Sequence, residues 1–195
     1  MLRQEIKFIL NQNEFNKIVS SYNLHELYKP RMVYSIYFDT YSYKLFHLSE
    51  EGVSPRYKVR IRSYDINFNK INLEIKKTKN YIREKIVKNN IVYNKYVFNN
   101  SLIKLGILEN LKPVLHISYK RKYYNSIYGR ITFDTDIKYA KVNDNLLKKP
   151  PNIYDDLNVL EVKNNNKFDK FKVMQFLNLK EARFSKYCRG IIKIK

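Results

Sequence analysis

Cations alternate with other residues along Arg56-Tyr57-Lys58-Val59-Arg60-Ile61-Arg62. In an extended chain this puts Arg56, Lys58, Arg60 and Arg62 on one face and Tyr57, Val59 and Ile61 on the other. The two-residue spacing returns in Arg3, Glu5, Lys7; Glu74, Lys76; Arg83, Lys85; Tyr119, Arg121; Arg130, Thr132, Asp134; and Glu161, Lys163. Seven of the ten arginines fall in these series, so they are placed rather than scattered. Like charges packed this densely on neighbouring strands repel, and an open surface gains nothing from them unless an anion fills the space. Arginine's planar fork grips phosphate oxygens in pairs and lysine adds point charge, so the pattern predicts a basic lining for a linear polyphosphate. The carboxylates Glu5, Glu74 and Glu161 suit Mg²⁺ or Mn²⁺ bridging phosphate oxygens, or else internal pairing with the arginines.

Those side chains need strands to carry them. Alternation or β-rich composition predicts strands over residues 3–9, 33–39, 56–64, 70–77, 81–88, 114–122, 128–137 and 157–163. Helices are fewer. One starts at Asn11 or Asn13 and lines up Phe15, Ile18, Val19 and Tyr22; others are expected over 101–110 and 167–179, and a short helix or turn over 41–48. Loops fall at Lys148 to Asn152 and Asn164 to Asn166. Many short strands with little βαβ alternation predict an α+β, mainly antiparallel fold. The expected form is an eight-stranded closed tunnel barrel, its charged faces inward and its apolar faces covered by helices packed outside.

The chain has 195 residues, 44% of them hydrophobic, enough for the single domain 1–195 expected here. Its formal net charge of +20 exceeds what solubility needs and points to a polyanionic partner, although a lysine- and asparagine-rich composition accounts for part of it. One cysteine, Cys188, excludes an internal disulfide and a cysteine-based zinc cluster. With no transmembrane segment or signal-peptide core in the sequence, a cytoplasmic location is expected. His25, His47 and His116 show no metal-binding spacing. Nucleic acid is disfavoured as partner, because Tyr57 lies on the strand face opposite the cations, so stacking and phosphate contact would need both faces.

Eight short motifs occur in one order: Arg3-x-Glu5-x-Lys7, Tyr37-Phe38-Asp39, Arg56 to Tyr64, Leu73-Glu74-Ile75-Lys76, Tyr119-x-Arg121, Arg130-x-Thr132-x-Asp134, Leu160-Glu161-Val162-Lys163 and Ser185-Lys186-Tyr187. In this the chain resembles the vacuolar transporter chaperone catalytic domain, a polyphosphate polymerase of the triphosphate tunnel metalloenzyme superfamily. The resemblance implies transfer of the γ-phosphoryl of ATP to a growing polyphosphate chain with a divalent metal. It implies phosphate binding or catalysis by Lys7, Arg60, Arg62, Lys76, Arg121, Arg130 and Lys186, and metal binding by Glu161, while Glu5 and Glu74 stand as further candidate ligands on the residue pattern alone. Arg56, Lys58, Lys85 and Lys163 complete the expected substrate-binding set, with Ser185 as a hydrogen-bonding candidate.

The chain departs from the hydrolytic relatives, whose first strand reads Glu-x-Glu-x-Lys, by carrying Arg3 at the first acidic position. The loss favours the polymerase branch. An inorganic triphosphatase and a non-catalytic polyphosphate-binding module are the competing readings. In the eukaryotic polymerases the domain is accompanied by membrane segments, so a membrane-anchoring partner subunit is compatible with the resemblance.

Overall fold

The computed structural model describes residues 4–79, 82–91, 94–104, 106–142, 150–164 and 169–195. Arg3, Lys148, Lys149, Asn165 and Asn166, singled out above, lie outside the described residues. Period-two stretches form the strands β1 (Gln4–Leu10), β2 (Glu26–Asp39), β3 (Arg56–Ser63), β4 (Ile71–Lys79), β5 (Ile82–Ile91), β6 (Lys112–Ser126), β7 (Gly129–Lys141), β8 (Ile153–Tyr154) and β9 (Asn158–Asn164). The helices are α1 (Gln12–Ser21), α2 (Lys44–Glu51), α3 (Lys95–Ile103), α4 (Lys170–Leu177) and α5 (Lys186–Ile194). The fold is therefore α+β and mainly antiparallel. Strand order in the sheet is β1, β9, β7, β6, β2, β3, β4, β5, with β8 beside β7. Hydrogen bonding does not close this sheet: among the described residues β1 and β5 are its two ends, where a closed barrel was expected.

The chain forms two compact units. The first comprises Met1–Met32, Ser118–Lys138 and Tyr154–Ser185. In it β9 pairs antiparallel with β1 and β7, and Ile6, Phe8, Leu10, Ile131, Phe133, Leu160 and Val162 form one buried face. Helices α1 and α4 cover that face through Phe15, Ile18, Val173 and Leu177, with Phe15 stacked 3.7 Å from the Phe133 ring. Asn11 caps α1 by accepting from Glu14 N, and Glu14 returns a carboxylate to Asn11 N, the reciprocal pairing that starts a helix cleanly.

The second unit comprises Val33–Ile117, Tyr139–Ile153 and Lys186–Lys195. Its strands β2, β3, β4 and β5 pair antiparallel in sequence order. Ile36, Phe38, Val59, Ile61, Leu73 and Ile75 make the apolar face, covered by Phe98 and Leu102 of α3 and by Leu45 of α2. Helix α3 lies upstream of the 101–110 segment expected, because Phe98 supplies the apolar anchor. Helix α5 was not anticipated: Gly190 and the β-branched Ile191, Ile192 and Ile194 argue against a helix on propensity. Tertiary packing overrides that preference, since a Cβ on Gly190 would stand 2.7 Å from Leu115 and from Tyr139, so only glycine lets the helix approach this closely. Among the described residues no helix is long and apolar enough to cross a membrane.

Candidate functional site

Because side chains alternate, each apolar face described above has a polar reverse, and the residues singled out in the sequence fall there. In the second unit the register aligns Tyr37 with Arg60 and Glu74, Ser35 with Arg62 and Asn72, and Lys58 with Lys76 and Lys85. Across β3, β4 and β5 this face carries Arg56, Lys58, Arg60, Arg62, Lys76, Arg83 and Lys85 against one carboxylate, Glu74. Glu74 is buried at 4% exposure and surrounded. Arg60 Nε and Nη2 both donate to its Oε2, at 2.8 and 2.5 Å, Lys85 Nζ donates to Oε1 at 2.9 Å, and Arg62 Nη1 lies 3.7 Å from Oε1. Burial pushes the Glu74 carboxyl up, but Arg60, Arg62 and Lys85 outweigh burial and hold it well below the usual carboxylate range. The register sets Lys58, Lys76 and Lys85 side by side, where like charges repel.

Arg60 Nη1 also donates to the Tyr37 hydroxyl at 2.6 Å. Behind that phenol, Tyr187 of α5 stacks on the Tyr37 ring at 4.9 Å, and its own hydroxyl donates a short hydrogen bond to Asp39 Oδ2. Asp39 further accepts from the backbone N–H groups of Thr40, Leu45 and Phe46, so it fastens the starts of α2 and α5 at once. Lys58 Nζ lies 4.0 Å from the buried Cys188 Sγ and 5.9 Å from the Tyr187 ring. Arg56 turns back on its own loop, donating to Gly52 O and Val53 O at 3.0 Å each.

In the first unit the polar face is nearly balanced. Its register aligns Lys7 with Glu161 and Thr132, and Glu5 with Lys163 and Arg130. Lys163 Nζ donates to Glu161 Oε2 at 2.6 Å, and Lys7 Nζ stands 3.8 Å from Glu5 and donates to Phe184 O at 3.0 Å. Arg121 grips Asp134 with both prongs of its fork, Nε to Oδ1 at 2.5 Å and Nη2 to Oδ2 at 2.7 Å. Burial lowers the Lys163 ammonium to about 8, helped by nearby Arg121, despite the stabilising carboxylate of Glu161. Arg130 Nε and Thr132 Oγ1 are buried without a hydrogen-bond partner among the described residues, an arrangement that native interiors tolerate where something else supplies the partner.

The family description "VTC domain" matches residues 2–195. The chain belongs to the VTC domain family. Its fold is shared with solved structures of low identity. One, from Bacillus halodurans and described as a candidate adenylate cyclase, is 12% identical with a TM-score of 0.62, over 95% of this chain and 96% of that one. Another, from Hippeastrum, is described as a candidate adenylyl cyclase with a dominant triphosphatase activity; it is 14% identical with a TM-score of 0.61, over 100% of this chain and 97% of the other. A Pyrococcus horikoshii protein is 17% identical with a TM-score of 0.58, over 98% and 99% of the two chains. No curated protein matches.

Within this VTC domain the residues singled out from sequence divide into two sets. Arg60, Arg62, Lys58, Lys76 and Lys85 meet on the polar face of the second unit, and Lys186 is the first residue of α5 in that unit. Glu5, Lys7, Arg121, Arg130, Glu161 and Lys163 lie on the polar face of the first, where Ser185 closes the last segment. Among the described residues no three His, Cys, Asp or Glu side chains cluster to hold a metal ion. Glu161 and Glu5, diagonal neighbours on β9 and β1, fit a cation whose other ligands are phosphate oxygens and water, the usual habit of Mg²⁺. Glu74, occupied by three cations, does not. From sequence, Tyr37 enters only within a motif and is given no role. Its signal was parity: Ser35, Tyr37 and Asp39 alternate with Ile36 and Phe38.

Proposed function

We propose that this VTC domain is a polyphosphate polymerase-like phosphotransferase that moves the γ-phosphoryl of ATP onto a polyphosphate chain. The observation that carries this is the row of seven cations on β3, β4 and β5 facing one already-paired carboxylate. Family membership points the same way. Phosphoryl transfer asks a protein mainly to align two polyanions and neutralise charge on the transferred group. Arg60, Arg62, Lys58, Lys76 and Lys85 would hold phosphate oxygens; Arg121, Arg130, Lys7, Lys163 and Lys186 add charge, and Ser185 a hydroxyl. Glu161 and Glu5 would hold Mg²⁺ or Mn²⁺, which when bound screens the repulsion between donor and acceptor phosphates. The acceptor's terminal phosphate is itself anionic, so no protein base is required. The closed eight-stranded tunnel and a membrane-anchoring partner subunit belong to this reading as expectations.

A triphosphatase is the second reading, favoured by the activity ascribed to the Hippeastrum structure of the same fold. Incubation with ATP and Mn²⁺, followed by gel separation of long polyphosphate from orthophosphate, decides between them. Long chains are the expected product, lost in Arg62→Ala and Glu161→Gln. Orthophosphate alone would replace the polymerase by a triphosphatase, and neither product would leave a polyphosphate-binding module.

A further inference from the structure

Tyr37 belongs to no basic row, yet its hydroxyl sits inside one. It is 7% exposed, and among the described residues its polar partner is Arg60 Nη1, toward which the oxygen acts as acceptor. A phenol that accepts still carries a hydrogen to donate. No acceptor for that hydrogen exists among the described residues, although buried polar groups are almost always satisfied. The ring cannot turn away to find one: Tyr187 stacks against it at an interplanar angle of 19°, and Tyr187 is itself anchored on Asp39. The hydroxyl is thus fixed among the charges of Arg60, Arg62 and Lys58.

We propose that Tyr37 is an anion-binding residue, donating its phenolic hydrogen to a phosphate oxygen of the ligand held by Arg60 and Arg62 while its oxygen keeps Arg60 in place. This rests on the phosphate-ligand reading above and adds a neutral donor to it. A neutral donor does what a further cation could not: it contributes a directed hydrogen bond without adding to the repulsion of the row. The polarisation of the phenol by its three cationic neighbours agrees with this, since burial alone would raise its pKa and those neighbours hold it below the ordinary phenol value.

The test is calorimetric titration of the full chain with inorganic tripolyphosphate, which requires no turnover. Tyr37→Phe keeps the ring stack and removes the hydroxyl; its affinity is expected to fall about tenfold, with the circular dichroism spectrum unchanged. A second variant separates donating from merely holding Arg60. Site-specific 3-fluorotyrosine at position 37 makes the phenol a stronger donor and a weaker acceptor, so at a pH where absorbance shows it un-ionised it should bind tripolyphosphate more tightly than the natural residue. Tyr37→Phe binding as well as wild type, or the fluorinated phenol binding more weakly, overturns the proposal. Wild type failing to bind tripolyphosphate overturns it together with the phosphate reading, whereas binding without turnover removes only the enzymatic reading.

Discussion

Glu74 shows how one carboxylate organises a cationic face. Three side chains converge on it, and none would sit as close to the others without it. Its replacement by glutamine leaves buried positive charge unopposed and is expected to cost about 3 kcal/mol of stability in urea unfolding. The pH dependence follows from the direction of its shift. A carboxyl held below its unfolded value of 4.5 contributes stability that is complete above that pH and lost as pH falls through the folded value. The gap between wild type and Glu74→Gln should therefore be constant from neutral pH to about 5 and narrow steadily in more acid solution. A gap that does not narrow would mean that the charge of Glu74 is not what stabilises the cluster. Residue spacing alone could not assign Glu74 to ion pairing rather than metal binding, because both uses place a glutamate on the basic face. The cross-strand register adds what spacing lacks, by setting Arg60 beside Glu74.

At the scale of elements, alternation made the polar and apolar strand faces legible, and with them the two rows of cations. Strand ends were less so: β2 begins at Glu26, well before the apolar run from Val33, because its first residues are exposed on both sides and show no burial period. Helix α5 was illegible for a stronger reason, since its sequence argues against the conformation that its packing imposes. Gly190→Ala tests that account. Alanine is the better helix former by about 1 kcal/mol, so propensity alone predicts a more stable protein. The Cβ meeting Leu115 and Tyr139 at 2.7 Å predicts the opposite, a net loss of about 1–3 kcal/mol from overpacking, read from the urea midpoint.

For the molecule as a whole, the net charge of +20 set the question of a polyanion, but composition could not say which charges matter. The fold separates them: β3, β4 and β5 of the second unit set seven cations on the face of one carboxylate, whereas the first unit pairs Lys7, Arg121 and Lys163 with Glu5, Asp134 and Glu161 on one face. Sheet closure was not legible at all, since period-two patterning fixes which face is buried and is silent on whether end strands meet. A ligand that binds the folded chain raises its melting temperature, and exposed charge attraction is screened by salt. Tripolyphosphate should raise the melting temperature by several degrees in dilute buffer and far less in about tenfold more salt. An equal rise in both would assign the binding to short, desolvated contacts instead.

Asp39 gathers the beginnings of two helices, and its partners arrive at very different times in synthesis. Thr40, Leu45 and Phe46 leave the ribosome almost with it, but Tyr187 follows 148 residues later. Closing so long a loop costs chain entropy that local helix formation does not, so this contact belongs among the last to form. Until then a buried carboxylate waits one donor short and the Tyr37 ring lacks its backing. The backing of the Tyr37 ring is therefore supplied by a segment that reaches it late, from far along the chain.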